Sequence, residues 1–231
     1  MSIYLPIYCA FAISYIFLKS VKTGELQLEN SIIQNLTQIS SIIKGIPAVF
    51  LVILVILLRP INALFYFVLA GAFVFCFLGD LGMERGLIPG LPLFLIAQIL
   101  FSVAFLGQTL TLGVTVESLF LPGLVTLVMI IYIFLFLRYL ESSETGLGKF
   151  RIPVLIYCVF ISLMFISSVL LLSVSGIIEF GLVALGGLFF VISDSIIAVR
   201  EFHHVISYRE LKVMSTYYAA ILFLSLAVFM V

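Results

Sequence analysis

Residues 152–173, IPVLIYCVFISLMFISSVLLLS, form a continuous run without a charged side chain. A helix needs about 20 apolar residues to cross the roughly 30 Å hydrocarbon core of a bilayer, so this run predicts a membrane-spanning helix. Similar runs recur from one end of the chain to the other and leave no room for a separate soluble domain. The pattern predicts one transmembrane domain over residues 1–231.

The composition excludes other classes of protein. Of the 231 residues, 64% are hydrophobic and 10% are charged, and a mean hydropathy of +1.38 leaves too little polar surface for a water-soluble globule. Cys9, Cys76 and Cys158 lie inside apolar runs without the CxxC spacing of a metal or redox site. The chain has as many basic as acidic residues, and it has no basic run for nucleic acid.

Proline, glycine and clusters of charge divide the chain into eight predicted helices, which makes it an all-α polytopic membrane protein. The first segment lacks a basic n-region and a small-residue cleavage site, so it is interpreted as a spanning helix rather than a removed signal peptide. Lys44 is predicted to lie about one turn inside the second helix. The predicted helices cover residues 3–18, 39–58, 61–83, 92–110, 116–138, 151–173, 177–199 and 211–231.

The distribution of Lys and Arg predicts the orientation of these helices. Ten of the eleven basic residues lie at the connections after the first, third, fifth and seventh predicted helices, and Arg59 lies on the opposite side. Because cytoplasmic loops carry an excess of positive charge, both termini are predicted to lie outside a cell membrane that the chain crosses as an integral multi-pass protein. The ten are Lys19, Lys22, Lys44, Arg85, Arg138, Lys149, Arg151, Arg200, Arg209 and Lys212.

The two halves of the chain resemble each other at an offset of four helices. Lys44-Gly-Ile-Pro47 corresponds to Phe150-Arg-Ile-Pro153, and each of two glycine- and phenylalanine-containing helices runs to an aspartate, Asp80 or Asp194. The matches keep their order, and an even offset points both copies the same way. The sequence therefore predicts a parallel 4+4 internal repeat of residues 1–110 and 116–231.

Four charged residues are predicted at the unfavourable ends of their helices. Asp80 and Asp194 lie near cytoplasmic C-terminal ends, where the helix dipole repels a carboxylate, and Lys44 and Arg151 lie at N-terminal ends, where it repels a cation. Pairing between the two kinds of charge would remove both penalties. In the alternative interpretation the two cations extend to the lipid headgroups and only set the topology. Carboxylates inside a membrane usually have a function, so Asp80 and Asp194 favour the functional interpretation.

Other polar residues are predicted within about two turns of the same cytoplasmic boundary. His203 and His204 lie in a short connection and are interpreted as solvated, because a catalytic metal usually needs three protein ligands. No metal or cofactor is expected. The polar residues predicted to join the two aspartates are Gln98, Tyr157, Ser193, Ser195, Tyr217 and Tyr218.

With these residues in view, the sequence resembles the YhhN family of eight-helix membrane proteins, whose characterised animal members are lysoplasmalogenases. The resemblance covers helices 2 to 8 and depends on the order and spacing of several short motifs. These are Lys44 with Pro47, Leu78-Gly79-Asp80 with Met83, Phe94 through Ala97-Gln98, Arg151 with Pro153 and Tyr157, Gly187-Leu-Phe-Phe190 leading to Ser193-Asp194, and Tyr217-Tyr218-Ala219-Ala220.

The resemblance implies an intramembrane hydrolase that cleaves the vinyl ether of a lysoplasmalogen to a fatty aldehyde and a glycerophospho-alcohol. One carboxyl must carry a proton and the other must be ionised, which makes Asp80 and Asp194 the predicted catalytic pair. Lys44 and Arg151 are predicted to hold the substrate phosphate. With them, Gln98, Tyr157, Ser193, Tyr217 and Tyr218 form the predicted binding site for this lysophospholipid, which is the expected partner within the bilayer.

Two positions depart from the family pattern. The family often has histidine where this chain has Gln98, and a polar residue where it has Ile221. An amide does not titrate usefully, so Gln98 is not predicted to carry a proton. Two alternatives remain, a proton- or substrate-coupled transporter and a lipid-binding protein without catalysis. The absence of paired Gly/Pro interruptions at mid-membrane disfavours the transporter. The sequence predicts no oligomeric state.

Overall fold

The computed structural model describes residues 4–22, 52–53, 63–143 and 146–230. The described part is α-helical and contains no strand. Three 3₁₀ turns, Glu117–Leu119, Gly148–Phe150 and Leu226–Phe229, lie at helix ends. The α-helices are α1 (Tyr4–Lys22), α2 (Ala63–Arg85), α3 (Leu87–Leu112), α4 (Phe120–Glu141), α5 (Arg151–Ser175), α6 (Phe180–Phe202) and α7 (Arg209–Ser225).

Six of these helices, α2 to α7, are long and apolar enough to cross a membrane, α7 together with the turn that follows it. The chain is therefore an all-α, multi-pass membrane protein. Helix α1 includes the predicted helix 3–18, except its first residue, and continues to Lys22. The predicted helix at 39–58 lies outside the described residues apart from Val52 and Ile53. Eight spans, termini outside and an internal repeat stay predictions.

One helix start was predicted wrongly. Helix α3 begins at Leu87, five residues before the predicted start at residue 92, and Pro92 lies inside it. The first four N–H groups of a helix have no partner within it, so Pro89 in the first turn costs no hydrogen bond. Pro92 removes one bond and leaves the helix intact. Because the sequence analysis divided the chain at proline, it placed the start of α3 too far along the sequence.

The helices pack as neighbouring antiparallel pairs around α5. Helix α2 lies along α3 and α6 lies along α7, while α5 contacts α3, α4 and α6. Helix α1 packs against α7. Helix α4 has the most exposed apolar surface of the spans and buries only Pro122, Met129 and Leu140. This surface is suited to lipid, while α2, α3, α5, α6 and α7 enclose the interior.

Glycines allow two of these pairs to approach closely. A Cβ added at Gly82 of α2 would lie 2.8 Å from Cα of Gly90 of α3, and one at Gly79 would lie 2.9 Å from the Phe94 ring. A Cβ at Gly186 of α6 would lie 2.8 Å from the backbone nitrogen of Leu224 in α7. Small residues at such contacts let helix backbones meet in a membrane.

Hydroxyl groups in the bundle have two kinds of partner. Ser102, Thr109 and Ser162 donate to carbonyls of their own helix, four residues earlier in the chain. Tyrosines instead reach other helices: Tyr8 donates to the Tyr218 carbonyl over 2.7 Å, and Tyr132 lies 2.7 Å from Ser195 Oγ. Tyrosine hydroxyls therefore form several of the polar contacts between the described helices.

Candidate functional site

Asp80 is a buried carboxyl in the last turns of α2. It is 5% exposed, and the Tyr217 hydroxyl of α7 donates a hydrogen bond to its Oδ2 over 2.9 Å. The Tyr217 ring packs edge-on against Phe94 and Phe190, with ring centroids 5.9 and 5.7 Å away. These aromatic contacts fix the direction of the hydroxyl, so α7 holds the carboxyl of α2 in one orientation.

Asp194 has an equivalent tyrosine partner. It lies half-buried in α6, and the Tyr157 hydroxyl of α5 donates a hydrogen bond to its Oδ2. Tyr157 lies in the second turn of α5, beyond Pro153, and Asp194 lies about two turns before the end of α6. The tyrosine and the aspartate therefore meet because α5 begins at the end of the bundle where α6 finishes.

The two carboxyls line the same cavity, which we call the polar cavity. It lies between the last turns of α2 and α6 and the first turns of α3 and α7. Sequence analysis predicted that the two aspartates would lie close together, and the structure brings them to one space. The charged and polar residues of this lining are Asp80, Glu84, Ser193, Asp194, Arg200, Glu210 and Tyr217.

A second cavity adjoins the first and is mostly apolar. Asp194 lines both cavities, as do Met83, Phe94 and Ile197. Asp194 therefore lies where a polar space meets an apolar space. We call the second space the apolar cavity; the aliphatic and aromatic side chains around it include Leu91, Val154, Ile161, Val191, Ala198 and Phe202.

Among the described residues, the cation of this site is Arg200, which sequence analysis did not assign to the site. It is the one Lys or Arg among the described residues that line the polar cavity. Its Nη1 lies 3.6 Å from Oε1 of Glu210, and its Nε donates to Glu201 over 2.8 Å. Its side chain is 19% exposed. The sequence contained one indication that Arg200 belongs to the site, because Arg200 follows Asp194 by six residues on the same helix.

Arg151 does not meet an aspartate, which corrects the expected pairing. Its Nε lies 2.9 Å from Oε1 of Glu141 at the end of α4, and its side chain is 68% exposed. Because this side chain is mostly exposed, no burial penalty forces it toward a carboxyl inside the bundle. Arg151 lines neither cavity. Lys44, the other predicted cation, lies outside the described residues.

The remaining predicted residues separate into three positions. Ser193 lines the polar cavity and donates to the Val213 carbonyl over 3.3 Å. Gln98 is fully buried beside Tyr157. Tyr218 faces away from both cavities and packs against Tyr8 and Tyr15 of α1.

Glu210 is a buried residue of the site that sequence analysis missed. It is 7% exposed in the first turn of α7, where its carboxylate faces both Arg200 and Arg209. A carboxylate at a helix N-terminus is favoured by the dipole, so its sequence position gave no sign of a role in the interior. Within the described ranges, no group of three His, Cys, Asp or Glu could hold a metal ion.

Residues 39–228, most of the chain, match the YhhN family. No curated protein matches, and no solved structure matches.

Proposed function

Because this chain belongs to the YhhN family, we propose that it is an intramembrane hydrolase of the lysoplasmalogenase type. The substrate class is a phospholipid with one tail that is joined to glycerol through a vinyl ether. The products are a fatty aldehyde and a glycerophospho-alcohol. The family includes lysoplasmalogenases. The activity of this chain is inferred from the geometry of its own site.

The position of Asp194 is the observation that carries this proposal. A lysoplasmalogen has a polar head and an apolar tail, and its vinyl ether lies at the junction between them. Asp194 lies at the junction between the polar and apolar cavities. A lipid with its head in the first cavity and its tail in the second would bring the ether to this carboxyl.

The two carboxyls have the chemistry for each proton transfer. Asp194, protonated, gives its proton to the vinyl carbon farther from oxygen, which leaves an oxocarbenium ion. Water then adds to the carbon attached to oxygen, and Asp80 accepts its proton. Asp80 returns that proton to the ether oxygen as the carbon–oxygen bond breaks. Asp194 accepts the proton of the remaining hydroxyl, so the net reaction consumes one water.

The two tyrosines orient this pair. Tyr157 donates to Asp194 and Tyr217 donates to Asp80, so a phenol holds one oxygen of each carboxyl. Arg200 lines the same polar cavity and carries the charge that a lipid phosphate needs. This assignment places the phosphate contact on Arg200 rather than on Arg151.

The test compares two substrates with the purified full-length protein. We expect aldehyde release from a lysoplasmalogen and none from the matching saturated ether, because only the vinyl ether can accept a proton on carbon. Asp194→Asn and Asp80→Asn should each lower the rate at least about a thousandfold, as expected when one member of an acid–base pair is lost. Glu179→Gln, at the opposite end of α6, is the matched control and should keep its rate.

The same experiment separates the alternatives. Binding of both lipids without release of aldehyde would support a lipid-binding protein that lacks catalysis. A transporter would be supported if the protein neither binds these lipids nor releases aldehyde, and if vesicles that contain it take up a solute together with protons. Full activity in both aspartate variants would remove these carboxyls from the mechanism.

A further inference from the structure

Gln98 is an unusual residue in the core of the bundle. Its side chain is fully buried in α3, and neither its amide nitrogen nor its amide oxygen has a hydrogen-bond partner of good geometry among the described residues; its polar neighbour is the Tyr157 side chain. Burial of an unpartnered amide is unfavourable, and a leucine of similar size would avoid the penalty. Stability therefore does not account for a glutamine at this position.

The location of Gln98 connects it to the reacting groups. Its amide lies next to the Tyr157 side chain, whose hydroxyl donates to Asp194. One turn earlier on the same face of α3, Phe94 lines both cavities. Gln98 therefore lies beside the Tyr157–Asp194 pair, one turn of α3 from a residue at which the two cavities meet.

We propose that Gln98 positions the water molecule that attacks the oxocarbenium ion. The inference depends on the proposed function, because only a hydrolase needs such a water. Buried amides in native proteins commonly bind ordered water, and a glutamine offers both a donor and an acceptor. Two such contacts fix the direction of the water's lone pair. An amide has no titratable proton, so it orients the water without competing with the carboxyls.

The step balances with groups already present. The water oxygen forms a bond to the carbon attached to the ether oxygen, and the electron pair of the carbon–oxygen double bond moves onto that oxygen. The water proton passes to Asp80, as in the proposed mechanism. Gln98 neither gains nor loses a proton. It acts through the water and is a positioning residue rather than a catalytic residue.

Isotope exchange tests this role directly. If water addition slows while Asp194 still protonates the vinyl carbon, the oxocarbenium ion returns a proton to Asp194 and the vinyl ether forms again. In heavy water this reversal exchanges hydrogen for deuterium on that carbon. A variant that merely distorts the site would slow protonation too, and its unreacted substrate would stay unlabelled.

The experiment uses Gln98→Leu and, as a nearly isosteric second variant, Gln98→Met. In heavy water we expect aldehyde formation to fall at least about tenfold and the recovered lysoplasmalogen to gain one mass unit. The wild type should show little exchange before product forms, and Asp194→Asn should show neither exchange nor aldehyde. The melting temperature of each Gln98 variant should equal or exceed that of the wild type, because an apolar side chain replaces a buried amide that has no partner of good geometry among the described protein groups.

Gln108→Leu is the matched control, since Gln108 is a second buried glutamine of α3, ten residues farther along the helix. It should keep its rate and show no added exchange. Unchanged aldehyde formation in both Gln98 variants, or slower formation with unlabelled substrate, would overturn the role of Gln98 while the proposed function stands. A wild-type protein that releases no aldehyde would overturn both.

Discussion

The Tyr217 hydroxyl donates a hydrogen bond to Asp80 over 2.9 Å and links two helices whose residues are 137 positions apart in the chain. Both groups are buried. Replacement of either side chain by an apolar residue would remove a buried hydrogen bond between two helices, and loss of such a bond is costly. The bond therefore affects both the stability of the bundle and the orientation of a candidate catalytic group.

Tyr217→Phe should reduce both stability and turnover. Hydrogen bonds to charged groups contribute about 1.5 to 3 kcal/mol, so the melting temperature in detergent should fall. We also expect kcat to fall at least about tenfold with little change in KM, because Asp80 would lose its orientation and not its contact with substrate. Unfolding curves and steady-state rates of aldehyde release measure the two effects.

Tyr218→Phe is the stability control for this variant. Its ring packs against Tyr15 at a centroid distance of 5.7 Å, but its hydroxyl has no hydrogen-bond partner among the described residues. Loss of that hydroxyl should leave the melting temperature unchanged or higher. Equal destabilisation by the two substitutions would argue against a special contribution from the Tyr217–Asp80 bond.

Two arginine variants distinguish the contact inferred from the structure from the contact predicted by sequence. Arg200→Gln should raise KM for the lipid about tenfold, the loss expected for one charge-assisted hydrogen bond of about 1.4 kcal/mol or more. Arg200→Lys keeps the charge and should recover part of that loss. Arg151→Gln should leave KM within about twofold, because this exposed side chain pairs with Glu141. A larger increase in KM for Arg151→Gln than for Arg200→Gln would indicate that Arg151 makes the phosphate contact.

Ala198→Phe should make the protein selective for shorter tails. Ala198 lines the apolar cavity, and a phenylalanine there would occupy space that the proposed tail needs. We expect kcat/KM to fall more for a 16-carbon substrate than for an 8-carbon one. Leu185→Phe places the same side chain on an exposed part of α6 and should alter neither value. An equal loss for both tail lengths would argue against tail binding in this cavity.

Gly186→Ala should weaken the contact between α6 and α7. The added Cβ would lie 2.8 Å from the Leu224 nitrogen and 3.0 Å from the Ala220 oxygen, and these backbone atoms cannot move independently of α7. We expect a loss of about 1 to 3 kcal/mol in stability, measured by thermal unfolding in detergent. Gly181→Ala on the same helix meets nothing within 4 Å and should be neutral or slightly stabilising. Identical melting temperatures would contradict the close approach.

Sequence analysis identified the membrane class and the approximate spans because apolar run length is a direct physical requirement of the bilayer. It also predicted that Asp80 and Asp194 lie close together, since charges near the ends of apolar helices have few favourable environments. Arg151 was expected to pair with an aspartate because its exposure could not be known from sequence. The side chain instead lies at the surface beside Glu141, in the preceding helix of the fold.

The shape of the site could not be predicted in the same way. Asp194 lines both cavities because particular faces of α5 and α6 meet. The length of an apolar run predicts that a helix spans the membrane, but it does not predict which face of the helix points inward. Arg200 and Glu210 were not predicted as a pair because they lie on different helices and approach only through the α6–α7 contact. Gln98 was predicted as a polar site residue, but its lack of partners is a property of the packed bundle.

Some hydroxyl side chains bond within their own helix and others bond to a different helix, and this difference has an evolutionary consequence. Ser102, Thr109 and Ser162 satisfy themselves within their own helices, so exchange of each for alanine or cysteine should be tolerated during sequence drift. Tyr157 and Tyr217 bridge separate helices at the carboxyls and have no such freedom. Distant descendants of this chain should therefore lose Ser102, Thr109 and Ser162 long before they lose these two phenols.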